Sequence, residues 1–397
     1  MSTTVSDREL RGSDFNVGIS KQTAKGAIDS NPVFTPVRRT EGKTFKTISY
    51  TEDPTVNNGM QGLEQIKETE DLGAEISATF SKQSIDLLTQ ALHSDPVAVT
   101  VTATDISATA TGFNSVGGDF GSFLVGDGFW VSGFTGDPTI NGFYIVAAID
   151  ANDITTTIAP PATEAAGDSV TVETRRFWNA DLPTYNAIQT RATDLSAVGS
   201  VNHHTIYDAI LNSFSAEIGE TGIVTNSASF VAEKEVEGSA AISGQTYGAA
   251  LTDRAVTAEK SGESAIKAFY VNGLSYTCKM KSLSLEVNNN YEKDDSAACS
   301  SLYVRGQPSF SGSCVIRSKI SNPFIWRNYS WDGSRVEITV LMRHGNGDES
   351  AIVFRQAIIT EATMPDGNGA VANTEASFVC EKDSAADVTV AVYTNWS

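Results

Sequence analysis

Ala228-Ser229-Phe230-Val231-Ala232-Glu233-Lys234-Glu235 returns as Ala376-Ser377-Phe378-Val379-Cys380-Glu381-Lys382-Asp383, an offset of 148 residues (376 against 228) with two positions changed. So close a match inside one chain points to one structural unit used twice. Each copy alternates in the strand manner: Ala228, Phe230 and Ala232 point one way, and Ser229, Val231 and Glu233 the other. A second run precedes each copy, Ser213-Phe214-Ser215-Ala216-Glu217-Ile218 before the first and Gln356-Ala357-Ile358-Ile359-Thr360-Glu361 before the second. Between them lies a related pair, Ser282-Leu283-Ser284-Leu285-Glu286-Val287 and Ser309-Phe310-Ser311-Gly312-Ser313-Cys314-Val315-Ile316. Three strand-loop-strand units of one style predict a mainly β protein.

The chain has 397 residues, enough for two or three domains. It carries 28 Lys plus Arg against 48 Asp plus Glu, a net charge of −20. That balance argues against gripping phosphate, because affinity for nucleic acid comes largely from basic groups releasing counterions. It argues equally against docking on anionic membrane. The N-terminus has no basic and apolar segment of signal-peptide type, which predicts synthesis and initial residence in a cytoplasm. The run Phe143-Tyr144-Ile145-Val146-Ala147-Ala148-Ile149 is far short of the roughly 20 residues of a membrane span. The cysteines Cys278, Cys299, Cys314 and Cys380 have no CxxC spacing. Cys314 and Cys380 fall on the apolar side of their strands, which favours buried reduced thiols.

Residues 1–70 are polar and irregular. Asn31-Pro32-Val33-Phe34-Thr35-Pro36-Val37-Arg38-Arg39 reads as an extended arm, since proline cannot serve a central ladder. Thr44–Tyr50 and Ala74–Ser81 fit strands, and Asn57-Asn58-Gly59 is turn chemistry. Ile85, Leu88 and Leu92 stand at helical spacing behind Ser81 as N-cap, and His93-Ser94-Asp95-Pro96 ends the run; this is the one short helix expected. Val97–Thr102 and Ser169–Thr174 bracket a glycine-turn-rich segment. Residues 97–175 are therefore expected to form a small β-barrel-like domain inserted into a discontinuous main domain, 1–96 plus 176–397. His203–Leu211 is ambiguous, with Ile206, Ala209 and Ile210 leaning to helix. The stretch 238–264 reads as a long functional or mobile loop. Arg335–Met342 is a half-buried strand, and Val388–Tyr393 a terminal strand that closes the subunit's own sheet or pairs with a neighbour.

No catalytic, cofactor or metal constellation emerges. His203-His204 with Asp208 is the one suggestive cluster, but adjacent residues point apart on a strand or a helix and cannot chelate one ion together. His344-Gly345-Asn346-Gly347-Asp348-Glu349 lacks the features of phosphate and calcium loops and reads as a hairpin turn. Carboxylates lie on strand faces beside Ser and Thr, not paired in apolar surroundings. The tryptophans Trp130, Trp178, Trp326, Trp331 and Trp396 are scattered without a basic lining and read as core or interface anchors.

The chain resembles the major tail tube proteins of long-tailed, non-contractile (siphovirus-type) bacteriophages. The resemblance rests on Gly18-Ile19-Ser20-Lys21-Gln22-Thr23-Ala24-Lys25-Gly26-Ala27-Ile28, on Asn31–Pro36 with Arg38-Arg39, on Ser81–Leu88, and on Glu217–Ile223 with Phe230–Glu235. Ala240–Thr246 and Met364-Pro365-Asp366-Gly367 complete it. It implies a non-enzymatic virion protein of the tail, assembled in the host bacterial cytoplasm, with a tail-tube-type β-sandwich/barrel fold. It implies homohexameric rings stacked into a conduit for genome ejection. The implied partners are further copies of the chain and the tail terminator, tail tip and tape measure proteins, while viral DNA passes without specific binding. No cofactor and no membrane insertion are implied. Glu217, Glu233 and Glu286, on the Ser/Glu faces of the hairpin strands, are the lumen-lining candidates; outward solvent is the competing placement. The inserted domain is then expected on the tube exterior. Alternatives are another virion component, such as a decoration or tail-tip protein, or a carbohydrate-binding adhesive β protein.

Overall fold

The computed structural model describes residues 15–27, 29–52, 65–178, 183–192, 203–238, 244–249, 253–259, 262–277, 279–294, 302–317, 325–363, 373–383 and 388–396. The turn at 57–59, Cys278, Cys299, the segment 240–243 and the Pro365–Gly369 turn lie outside them.

The repeated stretch sets the plan of the whole chain. One half runs β1 (Phe15–Lys21), β2 (Glu41–Glu52), β3 (Gln65–Thr79), α1 (Lys82–Ala91), β4 (Asn186–Ala192), β5 (His203–Ile218), β6 (Thr225–Ala232) and β7 (Lys234–Gly238). The other half runs β8 (Ser264–Val271), β9 (Met280–Asn288), β10 (Ser309–Arg317), α2 (Ile325–Asp332), β11 (Arg335–Gly345), β12 (Asp348–Ala362), β13 (Asn373–Glu381) and β14 (Val390–Thr394). The antiparallel pairings of the first half are β1–β4, β4–β5, β5–β7, β5–β6, β6–β3 and β3–β2. They recur in the second half as β8–β11, β11–β12, β12–β14, β12–β13, β13–β10 and β10–β9. Register repeats too. Leu211 faces Phe230 and a bulge follows before Ser213; Ile359 faces Phe378 and a bulge follows before Glu361. These positions keep the offset of the sequence repeat, so the chain is a tandem duplication that extends well beyond the eight matched residues.

The bulges explain the shape of each repeat. A bulge bends its strand and raises the local twist. The N-terminal part of β5 lies between β4 and β7, and the part beyond the bulge lies between β6 and β9. One long strand thus serves two sheets, as at the corner of a sandwich. The second sheets are β1–β4–β5–β7 and β8–β11–β12–β14. The other parts of β5 and β12 belong to one continuous wall sheet, ordered β2–β3–β6–β5–β9–β10–β13–β12, because β5 pairs with β9 across the repeat boundary. Phe214, Phe230, Leu285, Phe354 and Phe378 from both repeats share one hydrophobic core.

Several expectations are refined. The middle pair of segments is not a third copy of the hairpin; β9–β10 corresponds to β2–β3. His203–Leu211 is strand throughout, and its missing alternation arises because almost every residue there is buried between neighbouring strands. The helix at 82–91 forms with Ser81 as N-cap, where Ser84 Oγ accepts from the Ser81 amide at 3.0 Å. A second helix, α2, carries the buried Trp326 and escaped the periodicity reading because it is only eight residues long. The polar N-terminal stretch supplies β1, β2 and part of β3, so within it the described residues pair as strands rather than lying as an arm. Val33–Pro36 is a short strand against β1. In the stretch 238–264, Val256 is fully buried and its amide donates to the Phe80 carbonyl at 2.7 Å. At 344–349 a hairpin turn joins β11 to β12, with Asn346 and Gly347 both at positive φ, the geometry an Asn-Gly pair favours. Val390–Thr394 closes the chain's own second sheet against β12.

Within 97–175 the strands 97–103, 106–108, 112–115, 128–132, 142–149 and 153–156 surround their own cluster of Phe113, Phe120, Phe123, Phe129, Phe134 and Tyr144. Val170–Trp178 pairs with Val97–Ala103 along its length and then, through Arg176–Trp178, with β14. A separate apolar cluster, including Trp130, Ile145, Leu341, Ala391 and Tyr393, joins this segment to the second sheet of the second repeat.

Two buried histidines make stability depend on pH. His93 shares a hydrogen bond with Tyr291 Oη at 3.0 Å, and His344 with Ser350 Oγ at 2.7 Å. Burial first, then the nearby Arg305 and Lys82 charges respectively, lowers both imidazoles to about 4. The unfolded chain therefore takes the protons first as pH falls. Their contribution is intact above about pH 6.5 and is lost towards pH 4, on the order of 3 kcal/mol for each group. Burial raises Asp86 to about 6 and so works in the opposite direction over the same window. Urea unfolding at pH 7.5 and 4.5 is therefore expected to show the histidine contribution as a difference, the His93→Asn/His344→Gln variant losing less on acidification than the wild type; equal changes in the two would refute the assignment.

Candidate functional site

One face of the wall sheet packs on the core; the other is polar. Residues directly opposite in register share a face, which fixes its pattern. Glu75, Ser229, Ser213 and Asn288 form one row across four strands. Ser77, Ser227, Ser215, Glu286 and Ser311 form the next. Thr79, Thr225, Glu217, Ser284, Ser313 and Ser377 form a third, and Ser377 meets Glu361 on β12. Alternation puts Ser, Thr, Glu or Asn outward at each of these positions, with the exposed Val379 beside Ser311, and mainly apolar residues inward, the buried Asn226 apart.

Some of the hydroxyls bond one another across strands. Ser215 Oγ and Ser227 Oγ lie 2.8 Å apart, as do Ser284 Oγ and Ser313 Oγ. A shallow depression of about 440 Å³ crosses the repeat boundary, lined by Ser215, Glu217, Ser284, Glu286, Thr360 and Ser377. Lys43 pairs with Glu75 at 3.2 Å, which removes a free cation from this face.

The structure brings Glu217 and Glu286 together as exposed, diagonal neighbours: Glu217 faces Ser284 while Ser215 faces Glu286. It sets Glu233 apart. That residue sits where the chain leaves β6 for β7, with a side chain only 10% exposed and bonded to Lys25 Nζ at 2.6 Å. The alternation of the repeated stretch placed it with the others, but the chain changes sheets after Ala232. Glu75, Glu361 and Glu375 were not among the candidates. The Glu-x-Ser spacing of Glu75-Ile76-Ser77 and Glu375-Ala376-Ser377 was the available signal.

The other suspected cluster is structural. His204 bonds Thr44 Oγ1 at 2.6 Å and Glu235 Oε2 at 3.2 Å. Asp208 is buried and accepts from Gln22, from the Gly26 amide and from Lys234, which hold its carboxyl below the usual range although burial opposes them. Among the described residues no group of three or more His, Cys, Asp or Glu is placed to hold a metal ion, and no helix is long and apolar enough to cross a membrane. Cys314 is fully buried and Cys380 partly; both are free thiols pushed up to about 12 by burial.

The site is an extended polar face on a wall sheet backed by two further sheets. The family model for phage tail tube proteins matches residues 12–390, and the chain belongs to that family. It is a structural, non-enzymatic component of the virion tail. Among curated proteins no match was found.

Proposed function

We propose that this chain forms rings that stack into the tube of a long, non-contractile, siphovirus-type tail, and that the polar face of the wall sheet lines the lumen. The observation that carries this reading is the wall sheet itself: eight strands, open at β2 and at the end of β12, with core on one face and hydroxyls and glutamates on the other. Open edges are aggregation hazards unless another chain covers them, and closure into a barrel removes them. Glu217 and Glu286 then face passing DNA. With a net charge of −20 the wall repels phosphate, over roughly 8 Å at physiological salt. The conduit is non-stick and reads no sequence. The tail terminator, tail tip and tape measure proteins are the expected further partners at the tube's ends and within its lumen.

The resemblance implies six chains in a ring, which would hold twelve repeats; three chains hold six repeats. The β5–β9 pairing already carries the wall from one repeat into the next, which favours three. At about 4.8 Å between strands and a tilt of roughly 40°, the wall strands of three chains give a backbone diameter of about 48 Å and six give about twice that. The segment 97–175, seated on the second sheet of the second repeat, is proposed as an inserted domain on the exterior.

Negative-stain electron microscopy of the purified protein and of the virion tail tests the reading. Hollow rings or tubes are expected, with three-fold symmetry and six similar lobes. A virion tube built without this chain would overturn it.

A further inference from the structure

The junction inside the chain predicts the junction between chains. Beyond its bulge, β5 continues past the end of β4, and β9 fills the vacated side with Ser213 opposite Asn288, Ser215 opposite Glu286 and Glu217 opposite Ser284. In the second repeat β12 likewise runs past β11, whose pairing ends at Arg335 opposite Ile358. Nothing among the described residues fills that side of 359–363. The counterpart of β9 is β2: Ser284 opposite Ser313 matches Lys43 opposite Glu75. Along residues 43–48 the outer edge of β2 makes no backbone–backbone hydrogen bond among the described residues, and there the Thr44 amide donates to Thr190 Oγ1 at 3.2 Å. The two open edges are thus the two halves of a junction the chain already contains once.

We infer that residues 359–363 at the end of β12 pair, antiparallel, with β2 of a second copy of this chain, with Glu361 opposite Thr47, Ala362 opposite Lys46 and Thr363 opposite Phe45. The register follows from carrying β5 onto β12 by 148 residues and β9 onto β2 by 241 (284 against 43), as the strand registers require. The junction continues the polar face, since Glu361 lies in the row of Glu217 and Ser284. Lys46 is already bonded within its own chain to Glu70 and Glu235 and so brings no unpaired charge into the contact. This inference rests on the tube reading but names the contact that closes the wall.

Cysteine pairing in the full chain tests it. Side chains directly opposite across strands lie about 4.5–5.5 Å apart, within reach of a disulfide. Glu361→Cys with Thr47→Cys, assembled and mildly oxidised, is expected to give a covalent ladder on a denaturing gel, ending at the number of chains in a ring. Glu361→Cys with Glu41→Cys, displaced by six residues or about 20 Å, is expected to give none beyond the wild-type background. In parallel, backbone amides of 45–47 and 359–363 in the wild type are expected to exchange at least about tenfold more slowly in tubes than in free chains. Tubes without the ladder and without that protection overturn the junction but leave the tube reading standing. Virion tubes that lack this chain overturn both. If the cysteine variant alone fails to assemble, amide exchange in the wild type decides.

Discussion

Arg355→Met is expected to destabilise the folded chain by about 3 kcal/mol, because it breaks a buried ion pair and leaves one partner behind. Arg355 lies on β12 with its side chain 3% exposed. Its Nη1 donates to Glu337 Oε2 at 3.1 Å and its Nη2 to Tyr393 Oη at 2.8 Å. Tyr393 Oη also accepts from Trp178 Nε1 at 3.2 Å and donates to the Gly126 carbonyl at 2.9 Å. Close by, Arg176 holds the buried Asp127 at 2.6 Å. The network therefore ties the segment 97–175 to the second sheet of the second repeat. Burial raises the Glu337 carboxyl, and the Arg355 charge and hydrogen bond oppose that shift. Removing the guanidinium leaves Glu337 without its partner. Urea unfolding at pH 7.5 is the measurement. Tyr393→Phe is expected to cost less, about 1–2 kcal/mol, and Arg355→Met with Glu337→Leu to recover most of the loss. A change within about 0.5 kcal/mol for Arg355→Met would mean that the apolar cluster around Trp130 and Tyr393 holds the segment alone.

Phe378→Ala is expected to cost about 3–5 kcal/mol, and more than Phe230→Ala at the equivalent site of the first repeat. Both rings are 1% exposed in the shared core. Phe378 meets Phe354 edge to face at 5.3 Å. It also fills the space over Gly312 on β10, where an added Cβ would lie 2.5 Å from the ring. Phe230 faces Ala74 at the equivalent position. The cost of truncation rises with the cavity left behind, by roughly 24 cal/mol per Å³. With glycine opposite, the facing residue on β10 has no side chain to lean into the void at 378; with alanine opposite, one methyl already occupies part of it. Unfolding midpoints of the two variants give the comparison. Equal losses would show that the two cores relax alike despite the Gly/Ala difference.

The two expectations differ in how far they were legible in the sequence. Phe230 and Phe378 announce themselves, because an alternating stretch repeated after 148 residues fixes which side chains go inward. The Ser/Glu alternation of β5 and β9 likewise put Glu217 and Glu286 on the outward face, since strand period is a local property of the backbone. The Arg355 network carried no such mark. Arg355, Glu337, Tyr393 and Gly126 are separated in sequence; the pairing of β11, β12 and β14 brings the first three together, and the packing of the segment 97–175 adds Gly126. Glu233 stands apart from Glu217 and Glu286 for a related reason. Its alternation was read correctly, but a change of sheet after Ala232 turned its side chain to Lys25.

The sequence by itself determined a mainly β protein, the helix at 82–91, the repeat and the absence of catalytic spacing. Each follows from periodicity, capping or composition over a few neighbouring residues. The tertiary structure alone decided that the repeat covers seven strands and a helix in each half, although most of the paired segments share no evident residues. Strand register and bulges depend on volume and twist across a sheet, and many side-chain combinations satisfy them equally. The structure also left open the two edges, on β2 and β12, because a sheet boundary is a matter of what lies beside a strand in space, which no stretch of the chain states locally.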